Sequence, residues 1–162
     1  MKGTATRAAL LAAAALLTAC SSPAAPQTTA TDGKTVARNA LQELYSAEAQ
    51  DSADFEAALT ESATNESALQ TYLTGKVGDT FSSEGLDALV SNRVVTRVLN
   101  AWPASEVAVE EIDLQDAYTQ TDEQQTYSYT VTAAPEGEDP QTFTGEITLT
   151  LTEGVWQITA IR

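Results

Sequence analysis

The stretch that decides the fold closes the chain: Gln141-Thr-Phe-Thr-Gly-Glu-Ile-Thr-Leu-Thr-Leu-Thr-Glu-Gly-Val-Trp-Gln-Ile-Thr-Ala-Ile-Arg162. Phe143, Ile147, Leu149 and Leu151 alternate with Thr142, Thr144, Glu146, Thr148 and Thr150, a period of two that belongs to a strand with one covered face. Glu153-Gly154 is a turn signal. A second run from Val155 to Ile161 follows it, with Trp156, Ile158 and Ala160 assigned to one face. Upstream, Tyr127, Tyr129 and Val131 alternate with Ser128, Thr130 and Thr132, and Val107, Val109, Ile112 and Leu114 mark another strand. A slip at Glu110-Glu111 in that strand predicts a bulge. Thr121-Asp122-Glu123 and the segment Pro135 to Pro140 supply the remaining turns. The pattern predicts a meander of four antiparallel strands.

Before Ala104 the period is 3.6 instead. Val36, Ala37, Ala40, Leu41, Leu44 and Tyr45 recur at helical spacing between Lys34 and about Gln50, with Asp32 as N-cap. A second helix is expected after Asp51-Ser52, with Phe55, Ala58 and Leu59 inward. A third, capped by Thr64 or Asn65, carries Leu69, Tyr72 and Leu73 and ends near Gly75. Ser82 opens a fourth that reaches at least Asn92. Val94 to Leu99 reads equally as continued helix or as strand, because β-branched residues favour the latter, and Pro103 terminates either. A block of helices followed by a meander makes an α+β domain over residues 33–162, with helices packed on a sheet of four or more strands.

The first residues read differently. Lys2 and Arg7 precede an uncharged Ala/Leu run from Ala8 to Leu17, and the segment closes on Leu17-Thr18-Ala19-Cys20. A basic start, about ten apolar residues and a small-residue cut site describe a secretory signal peptide over residues 1–19. The apolar run is shorter than the roughly 20 residues that span a bilayer. Leu-Thr-Ala-Cys resembles the bacterial lipobox. That resemblance implies that Cys20 becomes the new N-terminus and carries acyl chains, so the protein meets the membrane through lipid on Cys20. An ordinary secretory signal, with the cysteine coincidental, is the alternative. Residues 20–32, rich in Pro, Ser and Thr and free of large apolar side chains, read as the tether.

Composition removes several functions. The 162 residues include no histidine and one cysteine, which excludes Ser-His-Asp and Cys-His catalysis, a His- or multi-Cys zinc site and an intrachain disulfide. Eight basic against 23 acidic residues give a formal charge of -15. Cleavage before Cys20 removes two basic residues and no acidic one, making it -17. A chain so acidic is a poor match for nucleic acid. No acidic stretch, Glu136 to Asp139 included, has the spacing of a calcium loop. Glu43, Glu48, Glu56 and Glu61 read as solvated helix faces. The sequence gives no catalytic set, no metal site and no cofactor motif.

The closing hairpin from Gly145 to Arg162, with its Trp-x-Ile, looks like the last hairpin of the nuclear transport factor 2-like (cystatin-like) superfamily. The stretch Ser83 to Arg93 is similar to the helix entering the sheet in small Gram-positive lipoproteins of this kind. The resemblance covers Lys34 to Arg162. It implies a strongly curved sheet wrapped around helices as a cone, a ligand site in that cone, and pairing of two copies through their sheets. The superfamily's enzymes place Asp/His or Asp/Tyr sets in the cone, and this chain has no histidine for the first.

Three aromatic residues are the candidate ligand contacts: Trp102 at an element boundary, and Tyr127 and Tyr129 on one strand face. Core packing is the favoured reading of all three. The functional expectation is a non-catalytic, membrane-anchored extracytoplasmic lipoprotein that serves as an accessory or interaction module of the cell envelope. A small-ligand-binding lipoprotein using the cone is the alternative.

Overall fold

A computed structural model describes residues 32–162. The signal segment, Cys20 and the tether up to residue 31 lie outside the described residues. Five helices precede four strands: α1 (Gly33–Tyr45), α2 (Asp51–Glu61), α3 (Ser67–Val77), α4 (Ser83–Ser91), α5 (Val95–Ala101), β1 (Val107–Gln120), β2 (Gln124–Pro135), β3 (Gln141–Thr152) and β4 (Val155–Ile161). The strands form one antiparallel sheet in the order β1-β2-β3-β4, so the expected α+β fold is the one observed.

The sheet is bent by irregularities in its two edge strands. β1 slips register between Val109 and Glu111, as the sequence predicts, and again between Asp116 and Gln120. β4 holds one extra residue, Thr159, between the pairs Leu149↔Ile158 and Thr148↔Ala160. Such bulges tighten the local twist and curl a sheet. The β4 bulge also corrects the alternation expected there. It turns Ile161 into the core (1 % exposed) and leaves Ala160 outside.

α1 lies across the inner face and touches all four strands. Its Asp32 cap forms as expected, the carboxylate accepting from the Thr35 N–H at 2.9 Å. Ala37, Ala40, Leu41, Leu44 and Tyr45 are buried on the side facing the sheet. The helix stops at Tyr45 rather than Gln50, because Ala47 is drawn into an isolated bridge with Val107 (N–H···O 3.1 and 2.7 Å). Two inter-strand bonds to the sheet edge thereby replace continued helix.

Two further expectations are corrected and one open reading is resolved. α2 buries no residue fully, and Leu59 is 50 % exposed; only Phe55 reaches the core, edge-on to Tyr72 at 5.7 Å between centroids. α3 passes through Gly75 and ends at Gly78, whose φ of +65° is the backbone that glycine reaches without strain. Its N-cap position is Glu66, although Asn65 still accepts from the Ser67 N–H at 3.3 Å. Val94 to Leu99, open on sequence, is helical in α5. Val95, Val98 and Leu99 bury there, so tertiary packing overrides β-propensity.

α4 docks on β4 through a close backbone approach. Gly85 sits against the Ile158 carbonyl, and a Cβ at this position would collide with that oxygen. The neighbouring Ser82 N–H donates to the same carbonyl at 3.0 Å. Gly75, exposed on α3, has open space where a Cβ would stand. The two glycines therefore carry opposite expectations. Gly75→Ala should stabilise by about 0.5–1 kcal/mol through helix propensity alone. Gly85→Ala should destabilise by about 1–3 kcal/mol because the helix is forced off the strand. Urea unfolding of both variants, followed by circular dichroism, gives the two signs.

Candidate functional site

The three aromatic residues singled out on sequence all lie in the interior. Trp102 caps α5, and its ring meets Phe143 edge-on at 6.2 Å. Tyr129, 2 % exposed, joins the same cluster through Tyr45, whose ring stands 6.0 Å from it and 5.1 Å from Phe143. Tyr127 is buried apart from that cluster. Its hydroxyl donates to the Gln125 side chain at 2.7 Å, and Lys34 Nζ stands 5.6 Å above its ring.

The Tyr45 and Tyr129 hydroxyls meet at 3.0 Å, and Tyr129 also donates to the Arg162 carbonyl. Gly145 leaves room for this, since a Cβ there would strike the Arg162 carbonyl and the Tyr129 ring. Burial is the main reason that both phenols are held above their ordinary range, and for Tyr129 its neighbour Tyr45 adds to the effect. Arg97, which donates to the Thr144 carbonyl, works against the shift in both. Tyr72 is pushed up to about 12 by burial and then by Asp51 and Asp54, and burial also raises Tyr127. Phenols held protonated by burial are structural donors, not bases.

A concave site lies elsewhere, at the far end of α1. A groove of about 710 Å³ runs between the C-terminal turn of α1, the loop Ser46–Gln50, the face of α3 and the start of β1. Ala47, Tyr72, Val107 and Val109 contribute apolar surface. Glu43, Glu48 and Glu106 are exposed carboxylates on its lining, and Lys76 and Asp51 form its back wall.

That wall is tightly networked. Lys76 Nζ is 2.6 Å from Asp51 Oδ2, with the two side chains only 9 % and 19 % exposed. The same ammonium donates to the Ser46 carbonyl at 2.9 Å, Asp51 accepts from the Glu48 N–H at 3.1 Å, and the Tyr72 hydroxyl donates to the Asp51 carbonyl at 3.3 Å. A largely desolvated ion pair retains its charges only when extra hydrogen bonds complete it, and these do so. Lys76 is thereby neutralised in place. Among the described residues, no cation lies within ion-pair distance of Glu43, Glu48 or Glu106.

Sequence reasoning took Glu43 and Glu48 for solvated helix positions and did not reach the groove. One signal was available. Glu43 stands in the last turn of α1, where the helix dipole is negative and the helix carries no basic residue of its own, the cation at that end being Lys76 of α3 on the Ser46 carbonyl. A carboxylate there contradicts the local rule for helix ends, and such violations gather at functional positions. The described residues contain no cluster of three or more carboxylates able to hold a metal ion. They also contain no helix long and apolar enough to cross a membrane. Compared with known proteins, the chain matches no family model and no curated sequence.

Two outcomes follow. Lys76→Met should cost about 3 kcal/mol, the scale of breaking a buried pair, because Asp51 is left charged without its partner. Denaturant midpoints of Lys76→Met and of the double variant with Asp51→Asn would show the double variant recovering part of the loss. The phenols set the alkaline limit. Their folded pKa values are raised, so the stability they contribute is complete below pH about 10, the unfolded value, and is lost as pH rises toward 12. Thermal melts at stepped pH should be flat in the phenol contribution up to about pH 10 and then fall steeply. Phenolate absorbance should rise together with unfolding.

Proposed function

We propose that the protein is a non-catalytic lipoprotein, held at the outer side of the cell membrane through lipid on Cys20, that acts as an accessory or protein-interaction module of the envelope. The signal-like residues 1–19 and the lipobox-like Leu17-Thr18-Ala19-Cys20 support the anchor. A pair or more of acyl chains is what makes such anchoring stable. The resemblance of the closing hairpin to the nuclear transport factor 2-like superfamily supports a role in binding rather than in chemistry, given the absence of histidine.

One geometric observation carries the interaction reading: the groove and the tether lie at opposite ends of α1. The tether enters at Asp32, where Gly33 packs against Gln125 and Trp156. The groove opens beside Gln42, Glu43 and Ser46 at the other end of the 13-residue helix. At ~1.5 Å per residue that is about 20 Å further from the attachment point. The attachment point therefore leaves the groove end of α1 clear of the residue where the tether joins. The alternative, a small ligand within the cone, has less support, because Tyr45, Trp102, Tyr129 and Phe143 pack on one another between sheet and helices.

Anchoring is tested directly in a bacterial host. The unaltered chain should fractionate with membranes and carry the mass of a diacylglycerol adduct on a chain beginning at Cys20. Cys20→Ala should lose both the adduct and the membrane association. Unchanged fractionation of Cys20→Ala would sink the proposal.

A further inference from the structure

We infer that the groove at the C-terminal end of α1 takes an extended, basic segment of a partner protein, with lysine or arginine side chains alternating with apolar ones. The inference deepens the interaction reading above and rests on it.

Three observations converge on that occupant. First, the electrostatics are one-sided. Glu43, Glu48 and Glu106 have no cation within ion-pair distance among the described residues, and Lys76 is taken by Asp51 and by the Ser46 carbonyl that caps α1. Glu43 adds a negative charge to a helix end whose own dipole is negative, so its placement does not serve the helix that carries it. Second, the lining includes apolar groups beside its carboxylates: the half-buried Val109 and Tyr72, with Ala47 and Val107 buried behind them. Charge alone would suit a small polycation, whereas apolar groups beside charged ones suit a peptide with both kinds of side chain. Third, the β1 edge offers backbone pairing. Val107 exchanges both of its outward hydrogen bonds with Ala47. By the alternation of an antiparallel edge, Val109, two residues on and before the bulge begins, turns its N–H and C=O to the same side as Val107. An extended segment lying in the groove meets that pair of groups.

The edge is otherwise protected, which limits the site to this window. Beyond the bulge, Arg38 of α1 donates to the Ile112 carbonyl and Lys34 pairs with Asp116 at 3.5 Å. Exposed carboxylates at Glu110, Glu111 and Asp113 discourage pairing of two like edges. A second copy of this chain would bring acidic edge to acidic edge, so the charge pattern selects a basic partner and disfavours itself.

The experiment uses the full chain and a blocked peptide of four lysine–valine repeats at an ionic strength of about 0.15 M, where weak long-range attraction is screened. Backbone amide resonances of Gly75, Val107 and Val109 should shift saturably on titration. The triple variant Glu43→Gln, Glu48→Gln, Glu106→Gln should bind about tenfold more weakly, the scale of three partly exposed charge pairs. Its melting temperature should hold or rise, since Glu43 no longer opposes the helix dipole. A purely structural role for these carboxylates would give the reverse: lower stability and unchanged binding. Resonance shifts spread over the whole acidic surface, equal affinity in the triple variant, or full displacement by an equimolar polyamine would each overturn the inference. A chain that is lipid-anchored yet does not bind the peptide overturns the groove assignment and leaves the anchor standing. Peptide binding by a chain that proves not to be lipidated does the opposite.

Discussion

Everything in this domain depends on covering one face of a four-stranded sheet with a helix that reaches all four strands. An antiparallel sheet with one apolar face is stable only when that face is buried, and α1 is the element that spans it. Small residues at Ala37 and Ala40 let the helix sit close, while Leu41, Leu44 and Tyr45 fill the depth. The curvature from the β1 and β4 bulges brings the sheet edges around the helix. Tyr45 then reaches Tyr129 in the middle of the sheet, and the Ala47 bridge ties the chain after α1 to the β1 edge. α4 closes the other edge through the Gly85 contact with β4.

This arrangement also gives the molecule its two ends. Because α1 begins where the tether enters and finishes at the β1 edge, the bridge at Ala47 stops the helix and opens the groove beyond it. The loop Ser46–Gln50 could collapse into that space, but the Asp51–Lys76 pair and its hydrogen bonds hold it against α3. The aromatic residues that attracted interest on sequence serve the interior, and the carboxylates that looked like ordinary surface line the concavity. Burial separates these roles. An aromatic ring gains most free energy by leaving water, whereas an unpaired carboxylate can keep its charge only at an open surface.

Much of the architecture was legible because it rests on local period and chemistry. The Thr/apolar alternation of residues 142–151, the Asp32 and Ser82 caps and the Glu110 bulge all follow from nearest-neighbour constraints. The misreadings share one cause. Gly75 looked like a helix stop, yet a glycine with space around it interrupts nothing unless the backbone must turn, and the turn falls at Gly78. Ala160 looked inward until one inserted residue reversed the alternation. Val94 to Leu99 could not be assigned because its β-branched residues suit a strand, while its only partners in space are helices and a sheet already complete.

By itself the sequence determined the α+β order, the strand pairing by meander, the excess of negative charge and the exclusion of histidine chemistry, since each depends on composition or on spacing along the chain. The tertiary structure alone decided which carboxylates meet around a groove, that Lys76 is taken by Asp51, and that Tyr129 and Trp102 belong to one aromatic cluster. Asp51 and Lys76, Trp102 and Tyr129, and Glu106 and the pair Glu43 and Glu48 each lie 25 or more residues apart along the chain, and no periodicity encodes their meeting. Only the closing of the sheet around α1 brings them together.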